Sequence, residues 1–267
     1  MIDRSLLKPH DADSILGAII AKKIEAVEAR EEEKPLRDFE RSVLLGNHSL
    51  KQAIHGSKRS PALIAEIKRR SPSKGPLREN LSIDEVAAIY DRRASAISVV
   101  TDEPFFGGSL DLLAKVKTRV RRPVLLKDFV ISEYQVLEAR SLGADAILLM
   151  ASVLVPSALR SLHELARGLK MDALVEAHDQ VEIDEALSAD AQIIGINNRD
   201  LRTLKVDPDR VHRLASHVPE DRTLVAESGI EQRSDVDRLA QVADAALVGT
   251  TFMIASDIEA KMIELGW

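Results

Sequence analysis

Gly143-Ala-Asp-Ala-Ile147 returns as Ser188-Ala-Asp-Ala-Gln192 and again as Val242-Ala-Asp-Ala-Ala246, each time between a helical pattern and a short apolar run. A recurring helix-to-strand junction means that one supersecondary unit is used repeatedly. Strands that alternate with helices of about ten to fifteen residues pair in parallel. Working outward from these junctions, apolar runs fall at 62–68, 96–100, 124–127, 146–150, 173–177, 193–197, 224–226 and 246–248. Eight such units close a barrel, and no Gly-x-Gly-x-x-Gly follows the first run to favour an open dinucleotide-binding sheet. The expected fold is a (β/α)8 TIM barrel over residues 1–267 as one domain, with 1–60 as an N-terminal helical extension packed on it.

That extension reads as a helix over 13–32, where Ile15, Leu16, Ile19, Ile20, Ile24 and Val27 recur at helical spacing behind Asp13 or Ser14 as N-cap. A charged bridge at 30–35 leads to a second short helical stretch near 36–45. Within the barrel, Ser82-x-x-Glu85 and Ser132-x-x-Gln135 both read as capping boxes.

Composition narrows the function. The chain has 267 residues, 45% hydrophobic and 30% charged, yet only five Phe, two Tyr and one Trp. The core must therefore be aliphatic, which suits parallel strands covered on both faces. A net charge of −6 with dispersed basic residues argues against a nucleic-acid partner. The basic run 115–122 reads as a solvated helix end. Absence of cysteine removes thiolate chemistry and fits a reducing cytoplasm. No signal-like N-terminus and no apolar run near the roughly 18 residues of a membrane span is present, so no membrane partner is expected. The seven histidines show no ligand spacing, so no metal is expected.

In such barrels the chemistry collects at the C-terminal ends of the strands. Glu66 and Lys68 stand two apart on the first run and share the inward face. Lys127 and Glu176 close two further runs, giving two ammonium groups and two carboxylates in one cavity, a set suited to acid–base catalysis. Asn197-Asn198-Arg199 and Glu227-Ser228-Gly229 end the sixth and seventh runs. Ser228-Gly229 and Gly249-Thr250 follow the seventh and eighth, where barrels commonly bind phosphate. Arg69, Arg70 and Lys74 lie in the loop after the first run, either to hold an anion or to solvate the loop. Phe105, Phe106 and Phe129 gather three of the five phenylalanines at the expected mouth.

These residues resemble a known family. Ile15-Leu-x-x-Ile19, Ala65-Glu-Ile-Lys-Arg-Arg-Ser-Pro-Ser-Lys-Gly75, Ser98-Val-Val-Thr-Asp-Glu-Pro-Phe-Phe-Gly-Gly-Ser109, Leu126-Lys-Asp-Phe129, Val175-Glu176, Gly195-Ile-Asn-Asn-Arg-Asp-Leu201 and Ala226-Glu-Ser-Gly-Ile230 are similar to motifs of the indole-3-glycerol-phosphate synthases. The resemblance implies a carboxy-lyase of tryptophan biosynthesis. It would cyclise 1-(2-carboxyphenylamino)-1-deoxyribulose 5-phosphate to indole-3-glycerol phosphate, releasing carbon dioxide and water without a cofactor. It implies Lys127 as general acid, Glu176 and Glu66 as proton-handling carboxylates, and Lys68 as a carboxylate partner that also assists dehydration. It further implies Ser71, Asn197 and Arg199 around the substrate's carboxylate and hydroxyls. Phe106, Phe129, Leu148 and Leu201 would form the apolar walls, with Ser228, Gly229, Gly249 and Thr250 at the phosphate. A depressed Lys127 pKa, with Lys68 as the neighbouring cation, is the expected activation. The chain departs from the family where 239–245 lacks the usual glycine before the eighth run, an absence expected to tilt the eighth loop, and where Thr250 replaces serine. A Schiff-base aldolase using Lys127, and a silent phosphate-sensing barrel, are the competing readings.

Overall fold

The computed structural model describes residues 2–40, 48–78 and 82–267. Eight parallel strands form a closed barrel: β1 Ala62–Ile67, β2 Ala96–Val100, β3 Val124–Lys127, β4 Ala146–Met150, β5 Asp172–Ala177, β6 Ile193–Asn197, β7 Thr223–Glu227 and β8 Ala245–Val248. Each pairs with its sequence neighbours, and β8 closes onto β1 with Ala62 opposite Ala245 and Ala65 opposite Val248. The eight apolar runs are the eight strands. In the loop after β1, Arg70–Ser71 pairs antiparallel with Gly75–Pro76, a small ladder too short to show as an apolar run.

Strand alternation splits the core in two. Ala62, Ile64, Leu125, Leu148, Leu174, Val225 and Leu247 point inward and join the extension in one buried cluster. Leu63, Ala65, Leu126, Ile147, Val175 and Ala226 point outward beneath the helices. The helix Ile15–Glu33 starts at Ser14, whose hydroxyl accepts the Gly17 N–H, and buries Leu16, Ile19, Ile20, Ile24 and Val27. Each such side chain contributes at most about 1.5–3 kcal/mol. Of the expected helix at 36–45, Arg37–Glu40 is helical, while 41–47 lies outside the described residues. A further helix, Leu50–His55, is pinned under the barrel. Ser49 Oγ and the Lys51 N–H both donate to Asp172, and His55 Nε2 lies 2.8 Å from Thr223 Oγ1.

The junction repeat has a physical basis in two of its three copies. Asp145 accepts the Val124 N–H on a carboxylate oxygen (2.9 Å) and donates its own N–H to Val124 O (2.8 Å). Asp244 braces Leu224 in the same way (2.8 and 2.9 Å). Asp190 does not: it occupies the left-handed turn that Gly143 fills (φ 61° against 91°), so the middle copy is offset by two residues. Val242 takes that place before β8 without turning left-handed, and β8 still keeps register with β1 and β7. The missing family glycine is therefore absorbed in the turn before β8, and the strand keeps its register.

One capping expectation fails. Ser82 accepts the Glu85 N–H, one half of the expected capping box, but Ser132 makes no cap bond. Gln135 instead accepts from Ile131 N–H and donates to Phe129 O, spending its amide on the loop after β3. No described helix is long and apolar enough to cross a membrane.

Candidate active site

At the C-terminal mouth lies a cavity of about 690 Å³. All fifteen expected site residues line it: Glu66, Lys68, Ser71, Phe106, Lys127, Phe129, Leu148, Glu176, Asn197, Arg199, Leu201, Ser228, Gly229, Gly249 and Thr250. Lys74 lines it as well; Arg69 and Arg70 do not.

The polar floor follows from alternation, because the last inward position of β1, β3, β5 and β7 is charged. Glu66 follows Ile64, Lys127 follows Leu125, Glu176 follows Leu174, and Glu227 follows Val225. Lys127 Nζ lies 3.2 Å from Glu176 Oε2 and 3.1 Å from Glu227 Oε2, and Lys68 Nζ lies 2.7 Å from Glu66 Oε1. Glu227 is a site residue for which the motif Glu227-Ser228-Gly229 implies no role in the sequence alone. Its spacing of two from Val225 was the available signal.

Two glycines make space for this floor. A Cβ on Gly195 would stand 2.3 Å from Glu227 Oε1, and one on Gly249 2.3 Å from Glu66 Oε1. Neither carboxylate could keep its place beside a side chain there.

The charges order themselves by burial and pairing. Burial alone would pull the Lys127 pKa down, but Glu227, Glu176 and Glu66 more than offset it and hold the amine charged well above its ordinary range. This corrects the expectation of a depressed Lys127. The supposed neighbouring cation, Lys68, is itself paired with Glu66. A charged amine also opposes imine formation, which needs the neutral form. Burial raises Glu176, yet Lys127 and His178 outweigh it and leave its pKa below the usual value. Glu227 is pushed up to about 7 by burial, with Glu176 and Glu66 adding to the shift and Lys127 opposing it. One base and one neutral-range acid thus flank a single ammonium group.

The apolar wall is Phe106 and Phe129, with ring centroids 6.2 Å apart, beside Leu148, Met150 and Leu201. Phe105 packs against the interior cluster rather than lining the cavity. Both wall loops hang from a buried ion triad that no sequence motif marks. Lys23 of the helix Ile15–Glu33 lies 2.6 Å from Asp128 and 2.9 Å from Asp102. Asp128 in turn accepts from Phe129 N–H and Thr101 Oγ1, and Asp102 accepts from Phe105 N–H.

Opposite the wall, Ser228 and Gly229 are successive left-handed residues (φ 65° and 74°). Thr250 opens the short helix Thr250–Met253 directly after β8. Thr251 Oγ1 donates to Ile230 O (2.5 Å) and ties these two loops together. Between wall and loops, Asn197 Oδ1 accepts the Arg199 N–H, and Arg199 Nη1 donates to Leu204 O. Ser71 Oγ accepts the Lys74 N–H, which leaves its own proton available.

Comparison with known proteins agrees with this layout. The family model described as indole-3-glycerol phosphate synthase matches residues 16–265. The indole-3-glycerol phosphate synthase of Dehalococcoides mccartyi (strain CBDB1) is 42% identical over 257 residues, covering 94% of this chain and 99% of that protein. That of Leptospira interrogans is 45% identical over 208 residues, 78% of this chain and 82% of that protein. The "Tryptophan biosynthesis protein TrpCF" of Yersinia pestis is 42% identical over 249 residues, 93% of this chain but 52% of that protein. The chain thus spans about half the length of relatives of this last kind. A match that runs from the extension through all eight strands shows that the chain belongs to the indole-3-glycerol phosphate synthase family.

Proposed function

We propose that the protein cyclises 1-(2-carboxyphenylamino)-1-deoxyribulose 5-phosphate to indole-3-glycerol phosphate, acting in tryptophan biosynthesis in the cytoplasm. The observation that carries the reading is Lys127 between Glu176 and Glu227, with an aromatic wall on one side and the β7 and β8 loops on the other. Residues 1–267 act as one barrel unit, the extension of 1–60 supporting the wall through Lys23.

The reaction is acid–base chemistry on a bent substrate. Phosphate at Ser228, Gly229, Gly249 and Thr250, and carboxylate near Lys68, Ser71, Asn197 and Arg199, clamp the two ends in a near-attack shape. The aromatic carbon bearing the carboxylate bonds to the ketose carbonyl carbon while the carbonyl oxygen takes a proton from Lys127. A high lysine pKa does not block this, because the alkoxide forming there is a stronger base than the amine. The carbon–carboxylate bond then breaks, its electron pair returns to the ring, and carbon dioxide leaves. The nitrogen lone pair next expels the hydroxyl, which takes a second proton from Glu227 or Lys68 and departs as water. Loss of the adjacent C–H proton to Glu176 or Glu66 completes the indole.

Two protons are given and one is recovered. Each turnover therefore takes up one proton from solvent, since the carboxylate enters ionised and leaves as carbon dioxide. The test is to add this substrate to the purified protein and follow indole fluorescence together with proton uptake. Appearance of both at equal rates supports the reading, and a folded protein that yields neither overturns it.

A further inference from the structure

Glu176, the proposed proton acceptor, meets a second titratable group behind the cavity, His178. His178 lies two residues beyond Glu176 and does not line the cavity. Its Nδ1 is 3.0 Å from Glu182 Oε2, and the same oxygen accepts the His178 backbone N–H at 2.8 Å. A carboxylate only accepts, so Nδ1 carries hydrogen and the imidazole exchanges protons through Nε2. Nε2 stands 3.4 Å from Glu176 Oε1, and neither atom has a hydrogen-bond partner. If both kept their lone pairs, two buried acceptors would face each other without compensation. One proton between them removes that conflict.

We propose that His178 is a positioning residue that shares a proton with Glu176 and so sets how readily that carboxylate takes up and releases the proton of the reaction. The inference rests on the cyclisation reading given above. Glu182, in the helix Gln180–Ser188, orients the ring. Glu176 faces Lys127 with Oε2 and His178 with Oε1, so one carboxylate joins the reacting cavity to the imidazole behind it. In each cycle the proton that Glu176 takes from carbon passes to Lys127 through Oε2, while the Nε2–H of His178 stays shared with Oε1. No bond other than these N–H and O–H bonds is made or broken. The charged groups facing the ring are Glu176 on β5, Glu182, Arg210 and Asp200. Burial and Arg210 disfavour the imidazolium, but Glu182 and Glu176 outweigh them, so the ring stays charged above the ordinary histidine range. The seven-histidine survey of the sequence could not show this, because Glu182 and Glu176 meet His178 only in the fold.

His178→Gln keeps a donor beside Glu176 but cannot titrate. We expect its KM to stay within about twofold and its kcat to fall roughly tenfold at neutral pH. The ratio of wild-type to variant kcat should shrink as pH rises and the wild-type imidazolium is lost, and imidazole should restore part of the turnover of His178→Ala. Ring-nitrogen NMR of the ligand-free protein should show His178 protonated at neutral pH, and Glu176→Gln should lower its titration midpoint. A kcat ratio that is constant with pH, or a His178 that is neutral at pH 7 and indifferent to Glu176→Gln, overturns the proposal. Should the wild type fail to turn over the substrate, the cyclisation reading falls, while the NMR titration still decides whether the pair shares a proton.

Discussion

Lys127 carries the proposed ring closure alone, since no other cation is placed between Glu176 and Glu227 among the described residues. Lys127→Ala is expected to lower kcat by at least about a hundredfold while inorganic phosphate still binds, read by steady-state kinetics and phosphate titration. Glu227 gives a pH signature. Its carboxyl is pushed up to about 7 in the folded chain from the 4.5 of a free glutamate, so its contribution to stability is full below the lower value and is lost as pH rises through about 7. The loss is up to roughly 3 kcal/mol, and Glu227→Gln should flatten denaturant midpoints measured between pH 4.5 and 8. Near-identical pH profiles for variant and wild type would reject a raised Glu227. Gly195→Ala drives a methyl against Glu227 Oε1 and should cost kcat at least about tenfold. At this scale the sequence was informative where strand spacing of two decides direction, as for Glu66 and Lys68. It was silent on protonation, because the Lys127 charge depends on three carboxylates from three other strands.

The helix Ile15–Glu33 shows what a single element adds to the site. Lys23 pairs with both Asp102 and Asp128, and through them fixes the backbone of Phe105 and Phe129. Removing one partner of a buried ion group leaves uncompensated charge, so Lys23→Met should destabilise the fold by about 3–5 kcal/mol in denaturant titrations. It should also raise KM for the aromatic substrate more than it weakens inorganic phosphate binding. Equal losses at both ends would separate Lys23 from the wall. The helix itself was legible from its apolar period, and Ser14 as its cap was one of two options. Lys23 was not, since a lysine at that spacing reads as solvated until the loops after β2 and β3 reach it. The offset of Asp190 has the same origin: three identical tripeptides look equivalent until hydrogen bonds to the preceding strand distinguish them.

Across the whole molecule the eight aliphatic runs specified the closed barrel, and all fifteen expected residues meet in one cavity because they lie on the inner face of the strands or in the loops at one rim. The aliphatic interior leaves the scarce rings for particular sites, with Phe106 and Phe129 at the wall. The Asp145 and Asp244 braces carry a further implication. They close β4 and β8, four units apart on an eight-membered ring, so half a rotation about the barrel axis superimposes one brace on the other. The barrel therefore has two self-braced halves. A chain cut at the exposed, left-handed Lys170 should give fragments 1–170 and 171–267 that find each other on co-refolding and regain phosphate binding, whereas a cut between Asp145 and β3 should not.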